Sequence, residues 1–238
     1  MNMKLEVGYN HPIEIRHYAY FFPPLAGTRI LYVSDLHYHR LSRQRATNNI
    51  GQIRQLNPHI ILLGGDYVDT AFGLRNLQYL ADSIGPIPTF VIAGNHDNPY
   101  RHRIRRIVEN AGATWLHNLS TTVQLGRQFI RIDGNRPFPS DDSQFSILCL
   151  HRPIDIRPFA RHYNLIFAGH LHGGQFVFWQ TPAGLYPGRW LFRWNQLDAD
   201  YGTCRYLISK GAGDTFPIRY NCSRDMILVT LQSQPGTP

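Results

Sequence analysis

The amino-acid sequence predicts an α/β fold in which two mixed β-sheets pack face to face, flanked by helices. Three patterns carry that expectation. Five short apolar runs each break off abruptly into Gly, Asp, His or Asn: RILYVSDLH (29–37), HIILLGGDYVD (59–69), PTFVIAGNHD (88–97), SILCLHRP (146–153) and NLIFAGHLHGG (164–174). Helix-length polar segments separate the first three runs. The stretch 114–133 and the C-terminal third read instead as alternating strands.

Taken in order, 29–37 contains an unbroken apolar core, Ile30 to Val33, which is the pattern of a strand buried on both faces. A helix is expected over about 42–56, then a strand within 59–69, a helix over 73–84, a strand within 88–97 and a helix over 99–111. Pro99 opens the last of these, in the first turn where its missing N–H has no partner to lose. Alternation of strand and helix builds parallel sheet. LSTTVQLGRQFIRID, by contrast, alternates on either side of Gly126-Arg127, as an antiparallel hairpin does. Two more buried strands follow at 146–153 and 164–174, and RYLISKGAG, PIRYNC and DMILVTL add strands near the end. No repeat or linker interrupts the chain, so residues 1–238 are expected to form one domain.

With 43 % hydrophobic and only 17 % charged residues, the chain is neither disordered nor a coiled coil. No run approaches the roughly 18 apolar residues of a spanning helix. The N-terminal stretch lacks the apolar centre of a signal peptide, so a cytoplasmic protein is expected, with room for peripheral contact at the inner face of the membrane. Cys149, Cys204 and Cys222 are an odd set without knuckle spacing, which suits a reducing compartment. The formal charge is +8, and Lys4 and Lys210 are the only lysines. Arginine's planar fork suits phosphate oxygens, so phosphate-bearing or membrane-surface partners are expected.

In open α/β sheets the carboxyl ends of strands form the binding edge. Asp35 and His37, Asp66 and Asp69, Asn95 and His96, His151, and His170 with His172 all stand at such ends. Two carboxylates, an amide carbonyl and four imidazoles, with no thiolate, suit Mn²⁺, Fe, Zn²⁺ or Co²⁺. Seven donors are too many for one ion with an open position. They suit two divalent ions that share a carboxylate and clamp a phosphoryl group.

The ordered blocks DLH, GDYVD, GNHD, LHRP and GHLHGGQ resemble the calcineurin-like metallophosphoesterase superfamily, over about residues 29–232. That resemblance implies an αββα sandwich and a pair of divalent ions, Mn²⁺ foremost. It implies one ion on Asp35, His37, Asp66 and His172, and the other on Asp66, Asn95, His151 and His170, with Asp66 as the bridge. His96 would be the catalytic histidine outside the metal shell, oriented by Asp69. Asp97 would be a supporting turn residue. The implied reaction is hydrolysis of a phosphodiester or pyrophosphate by a metal-bound hydroxide. Thr70-Ala71 after GDYVD, and Asp97 after GNH, set the chain apart from the serine/threonine protein phosphatases. GHLHGGQ and the aromatic tail look like the branch of membrane-associated phosphoesterases that includes the UDP-2,3-diacylglucosamine pyrophosphatases of lipid A synthesis.

Arg101, Arg105, Arg152 and Arg219 are the candidate substrate-binding cations. The aromatic- and arginine-rich segment 176–195 reads either as the inner face of a sheet or as a surface for lipid and acyl chains. Phosphomonoester or soluble nucleotide hydrolysis is the alternative function. A nuclease or nucleic-acid binder is disfavoured, since no recognition helix or stacking platform is legible, and a metal-stabilised module without turnover is a third class.

Overall fold

A computed structural model describes residues 3–140 and 145–234; the ends of the expected 1–238 domain, with residues 141–144, lie outside the described residues. Strands β1 (Leu5–Val7) and β2 (Glu14–Phe21) lead into a strand–helix series: β3 (Arg29–Val33), α1 (Arg43–Leu56), β4 (Ile60–Leu63), α2 (Leu74–Ile84), β5 (Thr89–Val91), α3 (Arg101–Asn110) and β6 (Thr114–Trp115). The hairpin β7 (Ser120–Leu125) and β8 (Gln128–Gly134) follows, then β9 (Phe145–Cys149) and β10 (Leu165–Ala168). A second hairpin, β11 (Val177–Thr181) and β12 (Gly184–Pro187), runs into the single turn α4 (Gly188–Leu191). The chain finishes with β13 (Asp198–Asp200), β14 (Arg205–Ile208), β15 (Ile218–Tyr220) and β16 (Asp225–Gln232).

One sheet is ordered β2-β16-β3-β4-β5-β6 and the other β13-β14-β10-β9-β8-β7. Both are mixed: β3 to β6 run parallel, while β16 lies parallel to β2 and antiparallel to β3; in the second sheet β8, β9, β10 and β14 run parallel between antiparallel edge strands β7 and β13. The two-residue periodicity of a strand explains why the apolar runs are unbroken. Ile30, Tyr32, Ile60 and Leu62 face Ile147, Phe167 and Leu207 of the second sheet in one shared core. Leu31, Val33, Ile61 and Leu63 face the other way, onto apolar residues of α1, α2 and α3. In α2 those are Leu74, Leu77, Leu80 and Ile84, at helical spacing. The outer face of the second sheet is closed by Ile156, Ala160 and Tyr163, around a 3-10 turn at Ala160–His162.

The expected helices, the buried strands and the hairpin at Gly126-Arg127 are in place. The stretch 114–133 divides between the sheets, however, because Thr114–Trp115 pairs parallel with β5 rather than joining the hairpin. The C-terminal strands divide likewise: β14 completes the second sheet, β16 inserts between β2 and β3, and β15 pairs with β1. In each case the partner lies far along the chain, where local patterning carries no information. Parallel pairing of β3, β4 and β5, and of β9 and β10, brings five carboxyl ends to one edge.

Candidate metal centre

Each donor enters on a tight turn just past its strand. Asp35, His37, Asp66, His170 and His172 all have left-handed backbones, with φ of 56°, 45°, 56°, 72° and 51°. Non-glycine residues rarely hold this conformation, and it concentrates where surroundings over-determine the chain. The surroundings here are explicit. The Asp35 amide donates to the Gly65 carbonyl at 2.9 Å and the His37 amide to the Asp66 carbonyl at 3.0 Å. Fully buried Asp97 accepts the amides of Asp66, Tyr67 and Gly94, each at 2.8 Å, so one carboxylate clamps the turns after β4 and β5. Burial pushes the Asp97 carboxyl up to about 6, against the pull of those amides. Gly94 is required by closeness: a Cβ there would lie 2.1 Å from Asp66 Oδ1. Asn135 ties the two sheets together, donating to the Ala93 carbonyl and accepting the His151 amide, both at 2.9 Å.

The donors converge. Ligating atoms of Asp35, His37 and His172 lie within 4.8 Å of one another, and so do those of Asp66, His151 and His170. Asp66 stands between the two groups, its Oδ2 3.9 Å from His37 Nε2 and 3.4 Å from His151 Nε2. Asn95 Oδ1 is 3.0 Å from His151 Nε2. His37 Nε2 and His172 Nε2 face each other at 3.2 Å. Two imidazoles sharing an ion at about 2.1 Å would sit roughly 3.0–3.4 Å apart, so the donor set fits a divalent cation. Burial would raise the Asp66 carboxyl, but His151 and His37 hold it well below the usual carboxylate range. Burial would lower His151, yet Asp66 and Asp35 push it up to about 9. His170 goes the other way, to about 4, through burial and the charge of His151.

Asp69, His37 and His96 also cluster. Asp69 Oδ1 is 2.6 Å from His37 Nδ1 and 3.3 Å from His96 Nδ1, and the Thr215 hydroxyl donates to it at 3.0 Å. Since His37 turns its other nitrogen to the metal group, this row orients imidazoles rather than forming a third ion site. The His96 side chain is 39 % exposed, on a cavity of about 320 Å³ shared with Asp66, His170 and His172. A larger cavity of about 440 Å³, between residues 10–13 and α1, holds none of these donors.

The four arginines separate. Arg101 and Arg152 line a cavity of about 350 Å³ beside Asn95 and His151. Arg105 is exposed and pairs with Glu109 one turn on, at 2.9 Å. Arg219 does not reach the mouth: it is fully buried, with Nε donating to Asp214 at 2.7 Å and Nη2 to the Lys210 carbonyl at 2.7 Å. Its place is behind a donor, for Arg219 Nη2 lies 3.3 Å and Asp214 Oδ1 3.7 Å from His172 Nδ1. Asp214 also pairs with buried Arg224 at 2.6 Å, and Arg224 with Glu6 at 3.1 Å. Burial alone would raise Asp214; His172 and the two arginines hold it far below the ordinary carboxylate range. Sequence reasoning missed Asp214, Thr215, Arg224 and Asn135. The polar pair Asp214-Thr215 directly after SKGAG was the one local hint for the first two.

Comparison with known proteins agrees with this geometry. A family model described as calcineurin-like phosphoesterase matches residues 28–174. The chain is 28 % identical to the phosphodiesterase YaeI of Escherichia coli K12 over 253 aligned positions, covering 94 % of this chain and 92 % of that protein. It is 26 % identical to an uncharacterized metallophosphoesterase, YkoQ, of Bacillus subtilis 168, covering 81 % and 79 %. In fold it resembles the protein TT1561 of Thermus thermophilus, with a TM-score of 0.51 at 12 % identity, over 78 % of this chain and 90 % of that one.

Proposed function

We propose that this chain, which belongs to the calcineurin-like phosphoesterase family and is a metal-dependent phosphoester hydrolase, acts on phosphodiesters or pyrophosphates. The finer reading is a lipid-linked nucleotide substrate, with UDP-2,3-diacylglucosamine of lipid A synthesis the first to test and peripheral contact with an anionic membrane. The observation that carries the reaction class is the placement of Asp66 Oδ2 between His37 and His151, which suits two ions sharing one carboxylate. The relative named as a phosphodiesterase, aligned over nearly the whole chain, supports a diester over a monoester. Oxygen and nitrogen donors without thiolate suit Mn²⁺, Fe, Zn²⁺ or Co²⁺, and the family resemblance puts Mn²⁺ first.

In this reading Asp35, His37, Asp66 and His172 hold one ion, and Asp66, Asn95, His151 and His170 the other. Two divalent ions supply positive charge for a phosphoryl group and acidify water. His96, exposed at the mouth with Nδ1 toward Asp69, delivers a proton to the leaving oxygen from Nε2. Asp69 stabilises the charged imidazole and keeps its orientation. Arg101 and Arg152, beside the Asn95–His151 group, receive the flanking phosphate or leaving group. Arg105 and Arg219 take no part in binding: the first faces Glu109, and the second holds Asp214 and His172.

A panel with added Mn²⁺ tests this: bis-p-nitrophenyl phosphate, p-nitrophenyl phosphate, UDP-sugars, and UDP-2,3-diacylglucosamine in mixed micelles. Diester turnover is expected to exceed monoester turnover. Cleavage of the monoester alone would overturn the diesterase reading, and inertness toward the micellar substrate beside active diester cleavage would remove the lipid assignment.

A further inference from the structure

We propose that an exposed aromatic strip beside the metal cavity seats this protein on an anionic lipid bilayer, so that a phosphoester with an apolar anchor reaches the metal centre from the interface. The inference rests on the phosphoesterase reading above and identifies the surface that would deliver such a substrate.

The strip is built from three elements distant in sequence. In the β1–β15 ribbon, Leu5 pairs with Tyr220 and Val7 with Ile218, so these four share a face, while Glu6 and Arg219 turn inward. Leu5 and Val7 are each 62 % exposed. Phe176 joins β15 through a bridge to Tyr220, and the Phe178 ring lies 5.5 Å from the Tyr220 ring. From there the β11–β12 hairpin continues the strip. Trp179 stacks on Tyr186 at 5.1 Å, and Trp190 meets both edge-on at 5.3 and 5.7 Å. Trp190 and Leu191, on α4, are 70 % and 78 % exposed. The strip borders the metal centre: Phe216, 55 % exposed, lines the same cavity as His96 and His172.

A run of large apolar side chains at the surface marks an interaction face. Its charge selects the occupant. Residues 172–197 contain Arg189 and Arg193 and no Asp or Glu. The one acid within β1, Glu6, is buried against Arg224. Rings of Trp and Tyr with polar tips, set beside Arg189 and Arg193 in a segment that carries no Asp or Glu, match the headgroup level of a negatively charged bilayer.

The test is flotation of the full chain with vesicles of phosphatidylcholine containing about 30 % phosphatidylglycerol, beside neutral vesicles. Bis-p-nitrophenyl phosphate hydrolysis is measured in parallel. The protein is expected to float with the anionic vesicles. Trp190→Ser with Leu191→Ser should lower the bound fraction at least about tenfold, and Arg189→Gln with Arg193→Gln should remove roughly tenfold of the preference for anionic over neutral vesicles. Phe129→Ser, exposed on the β7–β8 hairpin away from the strip, should change nothing. Hydrolysis of the soluble diester should hold in all three. The proposal is overturned if the wild-type protein stays with the unbound fraction, or if the Trp190/Leu191 variant floats as well as wild type. It is equally overturned if sedimentation reveals a dimer that this variant dissolves, since the strip would then seat a second copy. Vesicle binding that follows the strip in a protein inert toward every phosphoester would keep the membrane seat but overturn both substrate delivery and the function it rests on.

Discussion

Asp69 Oδ1 lies 2.6 Å from His37 Nδ1, closer than its 3.3 Å approach to His96. The carboxylate expected to serve the catalytic histidine is therefore bound more tightly to a metal-group histidine. Asp69→Asn should accordingly weaken the ion held by His37 by about 10–100-fold, as loss of a carboxylate behind a ligating imidazole does, and slow turnover as well. Metal titration followed by elemental analysis checks this; full affinity with slow turnover would assign Asp69 to His96 alone.

His96→Ala should separate the two effects. Its ring packs edge-on against His37 but offers no ligand atom to either donor group, so both ions should remain while the rate falls by roughly 10²–10⁴. A variant with normal metal content and full diester rate would contradict the role. Asp66→Ala, by contrast, removes the oxygen between both groups, and both ions should be lost together.

The pH dependence of metal affinity follows from His151. Its imidazole is pushed up to about 9 without an ion, so below that pH an arriving ion must displace a proton. Apparent affinity should climb with pH up to about 9 and then level off, by about tenfold per unit where His151 alone gives up a proton and more steeply lower down, where His37, raised by Asp69 against the effect of burial, is protonated too. His170, already deprotonated above about 4, adds no slope there. Stability of the metal-free protein should move oppositely: the His151 contribution is complete below its unfolded pKa and lost as pH rises through about 9. Calorimetric titrations across pH, with and without metal, measure both signs.

Arg219 and Arg152 should respond in different quantities. Removing Arg219 leaves the buried Asp214 carboxylate short of a partner, so Arg219→Met should destabilise the fold by about 3–5 kcal/mol and loosen the His172 ion. Arg152→Ala, at an exposed cavity wall, should leave the melting temperature unchanged and raise KM. A pure KM effect from Arg219→Met would return it to the substrate.

Gly94→Ala tests the closeness of the two turns. Its methyl would occupy space 2.1 Å from Asp66 Oδ1 and 2.7 Å from His151 Cε1. Displacement of those donors should cost about 1–3 kcal/mol of stability and lower metal occupancy, read by thermal melts and elemental analysis.

The five buried strands, the three helices and the turns carrying Asp35, Asp66, Asn95, His151 and His170 were legible because their signatures are local, whereas β1 and β2 were not expected as strands. Apolar runs broken by Gly and polar residues specify a buried strand and its end without knowledge of the partner. The placement of Arg219 was not legible. Within PIRYNC it reads as a surface cation, and only the fold surrounds it with Asp214, Lys210 and Gly213. Segment 176–195 likewise admitted two orientations, since aromatic alternation is the same whether the rings face a core or solvent.

The sequence by itself determined which residues stand at strand ends and which donors are available to ions, because both depend on short-range periodicity and side-chain chemistry. The tertiary structure alone decided which of them meet. Glu6 and Arg224, 218 positions apart, pair behind the metal group, and Leu5 comes to lie opposite Tyr220. Such contacts are selected by burial and charge balance over the whole chain, and no local pattern encodes them.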